Sequence, residues 1–262
     1  MSQNNLILGL AAGYHYGDVR PFLSSLEQSG YQGECVLFVS DTTRDLERMR
    51  EHAVTVIPLE RPESLTHLPY NALRYFLYLD YVNGSDKKYD RILVSDVRDV
   101  IFQRNPFDFP WSDGINCTLE DKRMTLGMCP HNAHWIRGHQ GEGALDSVRE
   151  KPISCSGTSV ADHEGMIRYL ETLTAGLVPF SDSERMAGYD QGLHNVLVHT
   201  GKLPSMTLHD NFGPILTLGY TRGEPPVDNE GFVLNESGER AHIVHQYDRK
   251  LELFKAIRRR FA

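Results

Sequence analysis

Asp96-Val97-Arg98-Asp99 follows directly on the apolar run Arg91–Ser95. Two carboxylates at the C-terminal end of a strand make a hard oxygen site suited to Mg²⁺ or Mn²⁺. A divalent ion held there can bridge the two phosphates of a nucleotide and neutralise a leaving group. The same four residues also satisfy ordinary turn chemistry, with an ion pair to Arg98. A second cluster, Gly188-Tyr189-Asp190-Gln191-Gly192-Leu193-His194-Asn195, opens a helical pattern. It puts Asp190 at a helix N-terminus, where the macrodipole favours an ionised carboxylate beside a developing cation. A plain N-cap aspartate fits that position equally. A third cluster, Ile243-Val244-His245-Gln246-Tyr247-Asp248-Arg249, ends a late strand on His245. Asp96, Asp99 and His245 together make a Mn²⁺ set. A structural histidine is the alternative in a chain with 12 of them.

These residues need a scaffold that brings strand ends together. The first half alternates strand and helix patterns. Leu6–Ala12 reads as a buried strand, and Glu34–Ser40, Ala53–Pro58 and Arg91–Ser95 as further strands. Asp18–Gln28, Arg44–Glu51 and Asn71–Val82 read as the helices between them, with Val19, Phe22, Leu23 and Leu26 on one stripe. Asn71–Val82 is apolar nearly all round, so a mostly buried helix is expected. This alternation predicts βαβ units, hence an α/β fold with a mainly parallel, mixed sheet flanked by helices. Ligands of such sheets sit beyond the C-terminal ends of the strands, which singles out Gly13–Gly17, Asp41–Thr43 and Asp96–Asp99. In the second half, Gly114–Glu120 and Ile153–Ala161 read as strands around a long polar stretch, Asp121–Lys151. His163–Gly176 and Gln191–His199 read as helices, Leu203–Gly231 as extended and loop-rich, and Ala241–His245 as a last strand before a basic helix.

Composition narrows the chemistry. The chain has 262 residues, 27 Lys plus Arg against 35 Asp plus Glu, and a net charge of −8. An acidic chain is a poor general nucleic-acid binder, so no nucleic-acid partner is expected. A phosphorylated ligand would then need local positive charge from a metal, a few arginines or helix N-termini. The four cysteines Cys35, Cys117, Cys129 and Cys155 form no C-x-x-C pair, so neither a zinc site nor a disulfide framework is expected. No secretory leader pattern and no run approaching roughly 18 apolar residues is present, and a cytoplasmic protein is expected.

In this order, the fragments resemble the GT-A-fold glycosyltransferases, most closely the family-8 retaining enzymes such as glycogenin and the bacterial lipooligosaccharide galactosyltransferases. The likeness runs from about Leu6 to Arg249. Ile92-Leu93-Val94-Ser95-Asp96 is similar to the strand that ends in the family's Asp-x-Asp metal motif, and Val100–Phe107 to the segment after it. Cys155-Ser156-Gly157-Thr158 is similar to its Asn/Ser-Ser-Gly strand, Asp190–Asn195 to its Asp-Gln-x-x-x-Asn element, and Val244-His245 to its late histidine. The resemblance implies a single GT-A (Rossmann-like) domain over residues 1–262. Residues 1–110 would be a nucleotide-binding half, 111–250 a donor-sugar and acceptor half, and 251–262 a basic C-terminal helix.

It implies a metal-dependent transfer of a sugar from a nucleotide diphosphate sugar, of the UDP type, to an acceptor hydroxyl with retention. Mn²⁺ or Mg²⁺ would rest on Asp96, Asp99 and His245. Asp190 and Gln191 would act at the sugar, and Ser156 and Gly157 would line it. Tyr14, Tyr16, Asp41, Arg74 and Arg98 would serve the base, ribose and phosphates. Each has a plainer role: surface aromatics for Tyr14 and Tyr16, a helix cap for Asp41, an ion pair with Asp96 or Asp99 for Arg74. Two departures stand out. Arg98 occupies the position of the motif's second Asp, so Asp96 and Asp99 share the metal through a tight turn, or one Asp binds metal while Arg98 meets phosphate. Asp248 stands where the family has Gly and Leu251 where it has Lys, with Arg249 or Lys250 as candidates to replace that Lys on the diphosphate.

The stretch His131–His139 reads as a loop that either binds the acceptor, with Trp135 as a stacking platform, or merely packs its tryptophan. The acceptor expected is a glycan, a lipid-linked sugar or a small molecule. The C-terminal Phe254–Phe261 interleaves cations with apolar residues. That suits weak contact with the inner face of a membrane or a solvated helix end. Two other enzyme readings fit the same fragments: a nucleotidyltransferase and a nucleotide-sugar hydrolase. Ala11–Gly17 lacks Lys and Arg, which counts against the former. A non-catalytic nucleotide-sugar-binding protein is the third alternative.

Overall fold

A computed structural model describes residues 4–180 and 185–261. The inner strands of its main sheet are runs rich in β-branched and leucine residues buried on both faces, while the edge strands are partly exposed. β1 (Asn5–Leu10), β2 (Glu34–Val39), β3 (Thr55–Pro58) and β4 (Arg91–Ser95) are joined by α1 (Tyr16–Gln28), α2 (Leu46–Arg50) and α3 (Tyr70–Gly84). β5 (Val100–Phe102) follows, then β6 (Ile115–Leu119), α4 (Pro130–Gln140), α5 (Glu142–Val148) and β7 (Ser154–Ala161). α6 (His163–Leu177), α7 (Tyr189–His199), β8 (Met206–His209), β9 (Ile215–Thr217), β10 (Ile243–His245) and α8 (Leu251–Arg260) complete the chain.

The seven-stranded sheet has the order β3-β2-β1-β4-β7-β6-β8. Every pairing is parallel except those of β7 with β4 and β6, so only β7 runs against the rest. This is the expected mixed, mainly parallel α/β architecture, compatible with a Rossmann-like fold. The chain order reverses at β1, which pairs with β2 on one side and β4 on the other, and such a switch point opens a crevice beyond the strand ends. Side chains alternate across the sheet. Leu6, Leu8, Val36, Phe38, Ile92 and Val94 face α3, α6 and α7. Ile7, Leu37, Val39 and Leu93 face α1 and Trp111.

A second, three-stranded sheet has the order β5-β10-β9. Its register sets Val100 opposite His245, so the strand that starts just after Asp99 pulls the late histidine alongside it. β5 and β9 are too short to announce themselves in the sequence. β9 and β8 also break up the stretch Leu203–Gly231, which had read as loop.

The polar stretch Asp121–Lys151 is corrected as well: it carries α4 and α5. Pro130 starts α4, and the Cys129 Sγ caps it by accepting from the Asn132 N–H. The buried apolar residues are only Ala133 and Ile136 on α4 and Leu145 and Val148 on α5. That stripe is too thin to stand out among His, Arg and Glu. Trp135 therefore sits on a helix, not on a loop. On α8, Leu253 and Ile257 pack into the small sheet's core, as does Phe261 just beyond the helix, while Leu251 is 64% exposed. The apolar stripe of this helix is spent inside the molecule. No helix among the described residues is long and apolar enough to cross a membrane.

Candidate functional site

The crevice at the switch point is a cleft of about 410 Å³. Nine of the candidates named from the sequence line it: Tyr14, Arg74, Asp96, Arg98, Asp99, Trp135, Ser156, Asp190 and Gln191; Gly157 lies against Asp96 and His245.

Asp96 comes off the end of β4, with its backbone N–H donating to the Gly157 carbonyl at 2.6 Å. Val97 turns into the core, and Gly9 makes room for it. A Cβ at Gly9 would stand 2.6 Å from Val97 Cγ2. The turn brings Asp99 back toward Asp96. His245 Nε2 lies 3.3 Å from Asp96 Oδ2 and 3.8 Å from Asp99 Oδ1. One ligand atom from each of the three residues falls within 4.8 Å of the others.

Two observations make this set suited to a divalent cation. His245 is 0% exposed, and its Nε2, though 3.3 Å from Asp96 Oδ2, makes no well-aligned hydrogen bond. A buried polar atom left so is costly unless something else engages it. Gly157 also keeps the space open, because a Cβ there would overlap Asp96 Oδ2 and stand 2.5 Å from His245 Cε1. The donor set of two carboxylates and an imidazole matches Mn²⁺ chemistry.

The charges are strongly coupled. Burial opposes ionisation of Asp96, but Arg74 and His245 outweigh it and hold the carboxyl well below its ordinary range. Burial raises Asp99, against the pull of His245 and with the push of Asp96. Burial also opposes a charged His245, yet Cys155, Asp96 and Asp99 together raise it. A cation at this point would take over a role that the imidazolium otherwise plays.

Arg74, from the buried helix α3, bridges the two carboxylate groups. It pairs with Asp96 through Nη1, and its Nη2 donates to Asp190 Oδ2 at 3.2 Å and to the Tyr75 hydroxyl at 2.9 Å. The ion pair with Asp96 is thus real, and it adds Asp190 as a second partner. Asp190 sits in the first turn of α7 and is buried. Burial raises its pKa, and Arg74 only partly offsets this, so the helix N-terminus alone does not set its charge. Gln191 follows, with its Nε2 donating to Asn132 Oδ1 at 3.2 Å.

Arg98 turns outward to Asp248, Nη2 to Oδ2 2.9 Å. Arg249 also lines the cleft, whereas Lys250 is buried and donates to the Thr221 carbonyl at 2.5 Å. Of the two candidates for the missing lysine, Arg249 is the one that reaches the cleft.

Two candidates fall elsewhere. Tyr16 is 7% exposed inside the α1 core, bonds His52 Nε2 through its hydroxyl at 2.9 Å and lies under Arg48. It is one helical step in phase with Val19, so its own periodicity marks it as core. Asp41 is exposed beyond β2, outside the cleft lining, and caps no helix.

Other residues went unnoticed. Tyr70 and Asn71 enter the cleft from the start of α3. Glu120, just after β6, is 3% exposed, and burial raises its pKa to about 7. The strand-end rule that found Asp96 applies to it equally. Cys155, a neighbour of both Glu120 and His245, opens the Cys155–Thr158 segment, where the sequence pattern assigned it no role of its own.

No protein-family model and no curated protein matches the chain.

Proposed function

We propose that the chain is a metal-dependent glycosyltransferase that moves a sugar from a nucleotide diphosphate sugar, of the UDP type, to an acceptor hydroxyl with retention. The observation that carries this reading is the convergence of Asp96, Asp99 and His245 with the Arg74–Asp190 pair in one cleft at the switch point of the sheet. Asp96, Asp99 and His245 would hold Mn²⁺ or Mg²⁺, which supplies charge neutralisation to a departing diphosphate.

The chain's own residues account for the rest. Tyr14 borders the nucleotide end of the cleft, and Arg98 and Arg249 stand at its mouth, where phosphate oxygens are met. Ser156 and Gly157 border the sugar. Departure of the nucleotide leaves positive character on the anomeric carbon. Asp190, fixed by Arg74, is the carboxylate that opposes it, and Gln191 orients the ring. Tyr70 and Trp135 offer aromatic faces on the acceptor side. The net charge of −8 is compatible with phosphate chemistry because the cleft concentrates three arginines and a cation site.

The test is a screen of UDP release over common nucleotide sugars, with and without Mn²⁺ and with and without acceptors. Mn²⁺-dependent release that rises with an acceptor is expected. Release indifferent to acceptors assigns a nucleotide-sugar hydrolase, and absence of both binding and turnover ends the proposal.

A further inference from the structure

His245 has two ring nitrogens, and only Nε2 faces the carboxylates. Nδ1 points to Cys155, whose Sγ stands 3.7 Å away. The same sulfur lies 3.7 Å from Gln191 Oε1 and 3.7 Å from Gln246 Nε2, and the Glu120 carboxyl is a second acceptor within reach of its proton. Cys155 reaches this spot because β7 breaks register with β6. Cys117 faces Ser159, but the next residue, Thr118, faces Cys155. Such an irregularity re-aims side chains beside a site.

The hydrogen-bond inventory then fixes a pattern. A thiol has one proton to give and lone pairs to accept with. Gln246 Nε2 donates to the sulfur, and the sulfur's proton is offered to Gln191 Oε1. With a cation in place of the Nε2 proton, an Nδ1–H of His245 directed at the same sulfur would leave the Nε2 lone pair facing that cation. Nε2 is the buried atom with no well-aligned hydrogen bond, held between Asp96 and Asp99. In metal-binding histidines the second nitrogen commonly donates to a fixed acceptor, which sets the tautomer and the ring angle.

We infer that Cys155 is a positioning residue: its sulfur accepts from His245 Nδ1, turns Nε2 toward Asp96 and Asp99, and ties that histidine to Gln191. This rests on the reading of Asp96, Asp99 and His245 as a metal centre. It adds a link between that centre and the amide assigned to the sugar.

The experiment measures Mn²⁺ affinity by electron paramagnetic resonance, and nitrogen coupling to bound Mn²⁺ by spin-echo modulation, in wild type, Cys155→Ser and Cys155→Ala. Thermal melting serves as a fold control. Cys155→Ala should weaken Mn²⁺ binding about 10- to 100-fold and lose the nitrogen modulation. Cys155→Ser, whose hydroxyl can still accept, should recover most of both. If Cys155→Ala keeps wild-type affinity and modulation, or if Ser fails to rescue in a folded protein, the positioning role is overturned and the metal centre stands. If wild type itself binds no Mn²⁺, the metal centre is overturned and this inference with it. Should Cys155→Ala not fold, the serine variant decides: a loss of modulation there overturns the role, and its retention supports it.

Discussion

Arg98 Nη2 meets Asp248 Oδ2 at 2.9 Å, joining two turns that lie 150 residues apart. The Gln246 N–H to Asp99 carbonyl bond, 2.8 Å, and the Tyr247 hydroxyl to Arg98 carbonyl bond, 2.9 Å, fasten the same turns. Arg98 and Asp248 are also two of the positions where the sequence departs from the glycosyltransferase pattern it resembles. The departures compensate one another: an Arg in place of Asp on one turn meets an Asp in place of Gly on the other.

That pairing predicts coupling rather than large stability. Arg98 is 48% exposed, so the ion pair contributes about 0.2–1 kcal/mol. Arg98→Asp should lower stability and Mn²⁺ affinity by setting two carboxylates face to face. Adding Asp248→Gly should recover most of the loss. A double-mutant cycle by urea unfolding checks this, and strictly additive effects would refute it.

Asp96→Asn and Asp99→Asn should each abolish Mn²⁺-dependent UDP release while leaving the circular dichroism spectrum unchanged. The check is turnover across a Mn²⁺ titration. Full activity in both variants would falsify the assignment of the metal centre.

Arg74 is nearly buried between Asp96 and Asp190, and removing one partner of a buried charge cluster costs about 3–5 kcal/mol. Arg74→Met should therefore destabilise the protein by about that amount. Arg74→Lys keeps the charge but cannot reach both carboxylates with a planar fork. It should stay folded and lose kcat far more than donor affinity, as steady-state kinetics with a UDP-sugar would reveal.

His194 is fully buried and bonded on both sides, Nε2 to Ser154 Oγ and Nδ1 to Tyr169 hydroxyl, each at 2.9 Å. Burial lowers its pKa from 6.5 to about 3. Below pH 6.5 the unfolded chain takes up a proton that the folded chain refuses until about pH 3. Stability is therefore complete above the upper value and falls with pH between the two. From pH 7 to pH 5 this histidine should account for a loss of about 2 kcal/mol. His194→Gln should remove that part of the slope in denaturant unfolding at the two pH values, and an unchanged slope would count against the neutral buried imidazole.

Trp135 packs against the start of α7, where its Nε1 donates to the Arg185 carbonyl at 2.8 Å. Trp135→Phe should raise the KM for the acceptor and leave acceptor-free hydrolysis of the donor unchanged. A parallel rise in donor KM would move Trp135 to the other half of the cleft.

The sequence made some parts of this arrangement legible and hid others, for physical reasons. Asp96 was visible because a buried parallel strand is a continuous apolar run and its end is sharply marked. Asp190 was visible because it opens a helical stripe. His245 could be named, but its approach to Asp99 depends on the three-residue strand β5, which is too short to show a period. Tyr16 was misplaced because an aromatic next to a strand end looks like a stacking platform, although its phase with Val19 already turned it inward. Cys155 and Glu120 were missed for different reasons. Glu120 follows a strand and obeyed the same rule as Asp96, while Cys155 owes its position to a break in register. No pattern in the chain betrays that break. The long polar stretch hid two helices because each buries only two apolar residues.

The small sheet has a consequence for how the protein comes into being. Asp96 and Asp99 leave the ribosome long before β10 does, and His245 joins them only once β10 has slotted between β5 and β9. Through most of synthesis the nascent chain carries two adjacent carboxylates without their imidazole. If the three residues hold a metal as proposed, its capture by all of them would be postponed until translation is almost finished, and a chain broken off before Ile243 would lack the third ligand.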